Sequence, residues 1–274
     1  MPADPSFGHA RARSNLEPFL RHPVRNAWFA TRIPISRSRL LARTLSLRAI
    51  GDGGRLTRGT EVCIDGFQRS GNTLATYAVW RSNPECRIAH HLHAAGDVRR
   101  AVERGIPTVV LIREPSSAIA SLITYQGMAM HVRLGLESYI AFYRRLVPLR
   151  DRFAVCPFDE LVADPGLPIS LLNDRFGLDL LNLRLDDEAK KELRDAIAHT
   201  QLLRGDPERK WSVPVSTREV VRTRMVDPIT CHPRFPVAAR LYRTLAGERS
   251  SLDRASSIGA RQPVADPSER LARA

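Results

Sequence analysis

From Glu61 onward, short apolar runs alternate with stretches of helical spacing. The run EVCIDGF is strand-like and ends in glycine, and NTLATYAVWRS follows it with Leu74, Tyr77, Ala78 and Trp80 at helical intervals. The same order returns in PTVVLIREPSSAIASLITY. There Thr108–Ile112 reads as a buried strand, and Pro115 falls in the first turn of the next helix, where a missing N–H costs nothing. RFAVCPFDELV, residues 152–162, supplies a third apolar strand, with its helix expected after Asp164-Pro165. Further on, residues 186–199 predict an exposed, charge-laced helix, and residues 205–224 a long basic loop running into another helix.

Near-continuous apolar strands separated by helices predict an α/β chain: a three-layer, P-loop-like fold with a central, mainly parallel sheet flanked by helices. In such sheets ligands gather at the carboxyl ends of the strands. The segments Gly66–Thr73 and Arg113–Ser121 stand at two such ends.

The chain has 274 residues, enough for one substantial α/β domain with arms. Residues 1–58 mix prolines with arginines, and their helix-like portion, Ser36 to Ile50, is broken by Gly51, Gly53 and Gly54. The expected organisation is a basic N-terminal arm over 1–58, the α/β domain over 59–248 and a mobile, polar tail over 249–274.

Charge adds a constraint. The chain carries 42 basic and 29 acidic side chains, and within residues 1–60 there are 11 arginines against Asp4, Glu17 and Asp52. Such an excess invites a nucleic-acid or anionic-surface reading, while a solvated arm accounts for it equally well. The basic residues are nearly all arginine, whose planar fork suits phosphate and sulfate. Four widely spaced cysteines without a C-x-x-C pair indicate neither a zinc ribbon nor a disulfide framework. With no signal-peptide core and no apolar run of transmembrane length, a cytoplasmic protein without a membrane span is expected.

The stretch GFQRSGNT, residues 66–73, has the two glycines of a phosphate loop, but Asn72 occupies the position of the lysine that nucleoside-triphosphate loops require. Its backbone N–H groups from Arg69 to Thr73 open a helix, so they would form an anion nest with the helix dipole behind it. Ser70, Asn72 and Thr73 would add short donors, and Arg69 a charge. The next unit offers a second anion site: Arg113 leaves its strand, Ser117 follows at i+4, and Ser121 stands eight positions on.

These two motifs resemble those of the sulfotransferases that use 3′-phosphoadenosine-5′-phosphosulfate (PAPS). Gln68-Arg69-Ser70-Gly71-Asn72-Thr73 is similar to that family's Pro-Lys-Ser-Gly-Thr-Thr loop, which binds the 5′-phosphosulfate. Arg113-Glu114-Pro115 with Ser121 is similar to its Arg-Asn-Pro motif and the serine eight residues later, which bind the 3′-phosphate. Phe158-Asp159-Glu160-Leu161 before Asp164-Pro165 is a weaker likeness to a Tyr-Glu-Asp-Leu segment. The resemblance covers roughly residues 60–180.

The resemblance implies a metal-independent sulfuryl transfer from PAPS to a hydroxyl or amine of a small-molecule, carbohydrate or lipid acceptor. Arg69 takes the place of the family's loop lysine and would stabilise the departing phosphate electrostatically. The family's histidine base, at the end of the intervening strand, matches His91 within RIAHHLHAAGDV, with the neighbouring His90 and His93 as alternatives. Arg209-Lys210 would correspond to the basic Arg-Lys-Gly loop that closes the 3′-phosphate site, although Trp211 replaces its glycine. The family's adenine-stacking tryptophan has no counterpart, since Leu74 stands in its place.

Three other readings remain at this level: an ATP- or GTP-dependent phosphotransferase, a non-enzymatic polyanion- or nucleic-acid-binding protein, and a metal held by Cys86, His90, His91 and His93. No specific nucleic acid is expected from any recognised motif, and the metal reading matches no usual zinc spacing.

Overall fold

The computed structural model describes residues 54–183, 186–203 and 216–247, together with the isolated positions 27, 30 and 31. Four strands build the sheet: β1 (Val62–Gly66), β2 (Ile88–His90), β3 (Thr108–Ile112) and β4 (Ala154–Pro157). Their order is β2-β1-β3-β4 and every pairing is parallel. The α/β fold expected from the sequence is therefore present, and the sheet of the described residues is wholly parallel.

Alternation along β3 divides the core into two layers. Val109 and Leu111 point into one apolar cluster with Val62, Ile64, Ala75, Val79 and Leu172. Val110 and Ile112 point into the other, with Val98, Ile119, Leu136, Tyr139 and Tyr143. Both faces need a helical cover, because a parallel strand buried on both sides has no solvent face.

Helix α1 (Asn72–Ser82) covers the first face. Helix α2 (Ala95–Glu103) lies on the second and is followed there, after β3, by α3 (Pro115–Tyr125) and α4 (Val132–Arg144). A 3₁₀ turn, Val147–Arg152, leads into β4. Beyond β4 come α5 (Phe158–Ala163) and α6 (Leu167–Phe176), so the helix expected after Asp164-Pro165 is preceded by a shorter one.

Helix α7 (Asp187–Leu203) is exposed along most of its length, as its charges predict, but Leu193 and Ile197 are buried in the first layer. Helix α8 (Ser216–Thr230) comes next in the chain, and α9 (Phe235–Ala246) packs in the second layer. Residues 204–215, which include Arg209 and Lys210, lie outside the described residues, as do residues 36–50 of the arm and the tail from 248.

The chain leaves β1 toward β2 on one side and β3 toward β4 on the other. The crevice between β1 and β3 is thus the topological switch point, where open α/β sheets bind ligands. The loop Phe67–Gly71 and the turn Arg113-Glu114 flank it.

Candidate functional site

The loop after β1 owes its shape to two left-handed residues. Arg69 has φ 68° and Gly71 φ 95°. Gly71 is the N-cap of α1, and with no side chain it leaves the first turn of that helix without a side-chain cap. Backbone N–H groups at such a terminus favour an anion.

The corresponding helix after β3 is built differently. Glu114, the N-cap of α3, accepts hydrogen bonds from the Ser117 N–H at 2.9 Å and from the Ser116 hydroxyl at 2.5 Å. That terminus is already satisfied by a carboxylate. Of the two helix starts at the switch point, the α1 start is the one shaped to receive an external anion.

Two arginines converge beside it. The Arg69 Nε donates to Ser121 Oγ at 3.2 Å, and Arg113 donates from Nη1 to the Arg69 carbonyl at 3.0 Å and from Nε to Ser117 Oγ at 3.0 Å. Residues separated by more than 40 positions in sequence are thereby joined into one cationic cluster. Arg113 is buried and its guanidinium lies 3.8 Å from the centroid of the Phe158 ring, while Arg69 lies 5.1 Å from that of Tyr125. Both aromatic shelves hold a flat cation without neutralising it.

Ser70 and Asn72 serve the loop itself. Ser70 is fully buried with its hydroxyl 3.4 Å from that of Tyr143, and Asn72 Nδ2 donates to the Phe67 carbonyl at 3.1 Å. Their side chains face inward in place of the outward donors expected from the sequence, and since the Ser70 N–H itself donates to the Phe67 carbonyl at 3.1 Å, of the two only Asn72 has a backbone N–H to offer an anion. The position that would carry a nucleotide-loop lysine is used here to close the loop on its own start.

Tyr139 and Tyr143, four residues apart on α4, fix the end of β3. Tyr139 donates to the Arg113 carbonyl and Tyr143 to the Leu111 carbonyl, each at 2.8 Å. Since its proton is committed to Leu111, the Tyr143 oxygen accepts from the Phe67 N–H at 3.3 Å and from Ser70. Burial pushes both phenols well above their ordinary range, so they act as neutral pins. Replacing Tyr143 by phenylalanine strands three buried partners and is expected to cost about 1–3 kcal/mol, read as a lower urea midpoint at unchanged slope.

The histidines line the other side of the loop. His91 has φ 54°; its Nε2 is 3.1 Å from Thr73 Oγ1, and its Nδ1 is 2.7 Å from His90 Nδ1. His90 is buried edge-on to Trp80. His93, φ 49°, places Nδ1 3.2 Å from the Gly66 carbonyl and 3.6 Å from Asp65 Oδ1, while its backbone N–H donates to Asp65 Oδ2 at 2.9 Å. Of the four non-glycine residues with positive φ among the described residues, three, Arg69, His91 and His93, lie around this crevice, so backbone strain is concentrated there.

The structure therefore brings together Arg69, Ser70, Gly71, Asn72, Thr73, His91, Arg113 and Ser121, all named from the sequence. It adds Asp65, Glu114, Phe158, Tyr125, Tyr139 and Tyr143. Among the described residues no three His, Cys, Asp or Glu side chains form a group able to hold a metal ion. No protein-family model matches this chain, and no curated protein or solved structure does. No helix among the described residues is long and apolar enough to cross a membrane.

Proposed function

We propose that this chain is a sulfotransferase that moves the sulfuryl group of PAPS to a hydroxyl or amine of a small-molecule, carbohydrate or lipid acceptor. The observation that carries the reading is the uncapped start of α1 with Arg69 and Arg113 converging on it from neighbouring strand ends. A nucleotide with two separate anionic groups suits such a place. Its 5′-phosphosulfate would lie on the N–H groups of residues 71–73 that open α1, and its 3′-phosphate would face Arg113 and Ser121.

Catalysis under this reading is mostly positioning and charge. Arg69 is held by Ser121 on one side and Tyr125 on the other, so its charge is in place before the phosphate departs. The histidine cluster supplies the proton acceptor, with His91 the residue expected from the sequence motif. Arg209 and Lys210 belong to the proposed 3′-phosphate clamp by the same resemblance.

The phosphotransferase reading needs a lysine at position 72, and the inward-facing Asn72 gives no substitute. A melting experiment with adenosine 3′,5′-bisphosphate, with ATP and magnesium, and with heparin separates the alternatives. At a hundredfold excess over Kd the bisphosphate is expected to raise Tm by roughly 5 °C or more, as a one-site ligand does. Stabilisation by ATP and magnesium alone would establish the phosphotransferase, and a rise with heparin alone that vanishes in salt would establish the polyanion binder.

A further inference from the structure

We propose that His131 and His232 form an acid-sensitive latch between α4 and the turn that joins α8 to α9, closed while both imidazoles are neutral and opened when they take up protons. The latch lies in the helical layer behind the crevice and stands whether or not the donor is PAPS.

In the sequence it is a pair of matching tripeptides, His131-Val132-Arg133 and His232-Pro233-Arg234. His131 is the N-cap of α4, and its Nδ1 accepts from the Arg133 N–H at 3.1 Å. His232 lies two residues before Arg234, the N-cap of α9, and its Nδ1 accepts from the Arg234 N–H, also at 3.1 Å. A backbone N–H can only donate, so each Nδ1 presents its lone pair and each neutral ring carries its hydrogen on Nε2. A second proton has to enter at Nδ1. There it opposes the same N–H that the lone pair was holding, and the turn loses its closing bond.

The surroundings add to that penalty. The charged groups that bear on His232 are His131, Arg133 and Glu137 of α4, with Arg234 of its own turn. From α8 the turn receives Asp227, whose carbonyl accepts from the Cys231 N–H at 2.9 Å, and beyond it the exposed Cys231 thiol. Glu137 is the counter-ion, and it is already engaged: its Oε1 takes both Nε and Nη2 of Arg234 at 2.7 Å, which ties α4 to the start of α9. Protonating both histidines therefore adds two positive charges to a cluster of two arginines and one carboxylate, at helix N-termini whose dipoles also oppose them.

Burial first, then the charges of His131, Arg133 and Arg234, hold the His232 imidazole below its ordinary pKa against the pull of Glu137. The unfolded chain takes up that proton at about pH 6.5 and the folded chain only at lower pH, so stability is lost as the pH falls below about 6.5.

Under the charges the seam is apolar. Ile229 of α8 and Ala238 and Leu245 of α9 are buried in the cluster that holds Leu136, Tyr139 and Tyr143 of α4. Those tyrosines hold the end of β3 and the Phe67 N–H, so opening the seam loosens the crevice from behind.

The test melts the full wild-type chain and the double variant His131→Asn, His232→Asn between about pH 7.5 and about pH 5. An asparagine carbonyl accepts from the N–H two residues on and does not titrate. With one capping bond lost at each turn, the wild type is expected to lose roughly 4–8 °C of Tm more than the variant over that range. Amide protection, corrected for the intrinsic exchange rate, should fall at Arg133 and Arg234 in the acidified wild type and hold in the variant. Parallel loss of Tm in the two proteins, with protection at both residues unchanged, overturns the latch. If the double variant does not fold, imidazole nitrogen NMR of the wild type decides. Nε2–H tautomers at neutral pH, whose protonation coincides with lost protection at Arg133 and Arg234, uphold the latch; an Nδ1–H tautomer at either histidine, or protonation with protection kept, refutes it.

Discussion

Arg113→Ala is expected to abolish measurable binding of adenosine 3′,5′-bisphosphate, a loss of roughly 10²–10⁴ in affinity by calorimetry. The size follows from what one side chain does here. Arg113 is buried, donates to Arg69 O and Ser117 Oγ, and lies flat on Phe158. Removing it deletes the charge facing the proposed 3′-phosphate and also releases the carbonyl that sets the left-handed turn at Arg69. Arg113→Lys should recover little, because a point charge cannot reach Ser117 and Arg69 together while lying on an aromatic face. If Arg113→Ala binds the bisphosphate as the wild type does, the 3′-phosphate is elsewhere.

The proposed donor site depends on features of unequal legibility. Strands β1, β3 and β4 were readable because each is an apolar run long enough to stand out, and β3 is bounded by turn and helix-start signals. Arg113 and Ser121 are readable from their spacing only together with the glycine loop and the family resemblance of the two motifs. Helix α4 was not, although its tyrosines decide how β3 ends; Tyr139 and Tyr143 look like core residues until their hydroxyls are seen to reach Arg113 and Leu111. Strand β2 has three residues, too few for a period, and in the sequence it is marked only by the histidines at and just beyond its end.

The direction of a side chain was the other hidden quantity. Ser70 and Asn72 are polar residues in a glycine loop, and the sequence pattern treats every such residue as an outward donor. Packing against Tyr143 and Phe67 turns both inward. Asp65 was hidden for a related reason: an acid inside a strand of valine, cysteine and isoleucine reads as an interruption, whereas in three dimensions it stands behind His93. Local pattern locates the loop, and contacts over long sequence distance decide which atoms face the crevice.

A large stability effect is expected at Gly66, the last position of β1. A Cβ there would overlap the carbonyl oxygen of Leu111, and would lie 2.9 Å from the Leu111 side chain. The obstacle is the backbone of the paired strand, so relief requires β1 and β3 to separate. The same displacement would pull the Gly66 carbonyl from His93 and loosen Tyr143 from Leu111. Gly66→Ala is therefore expected to lower unfolding free energy by about 3 kcal/mol or more, a large share of the ~5–15 kcal/mol typical of a domain. Gly105→Ala gives the contrast. That residue has φ 73° but nothing within 4 Å of an added Cβ, so its cost is limited to the left-handed penalty of roughly 1–2 kcal/mol. Urea denaturation of the two variants beside the wild type measures both. Equal midpoints for Gly66→Ala and Gly105→Ala would mean that the switch-point crevice is wide enough to admit a methyl group, and that close approach of β1 to β3 does not set the site.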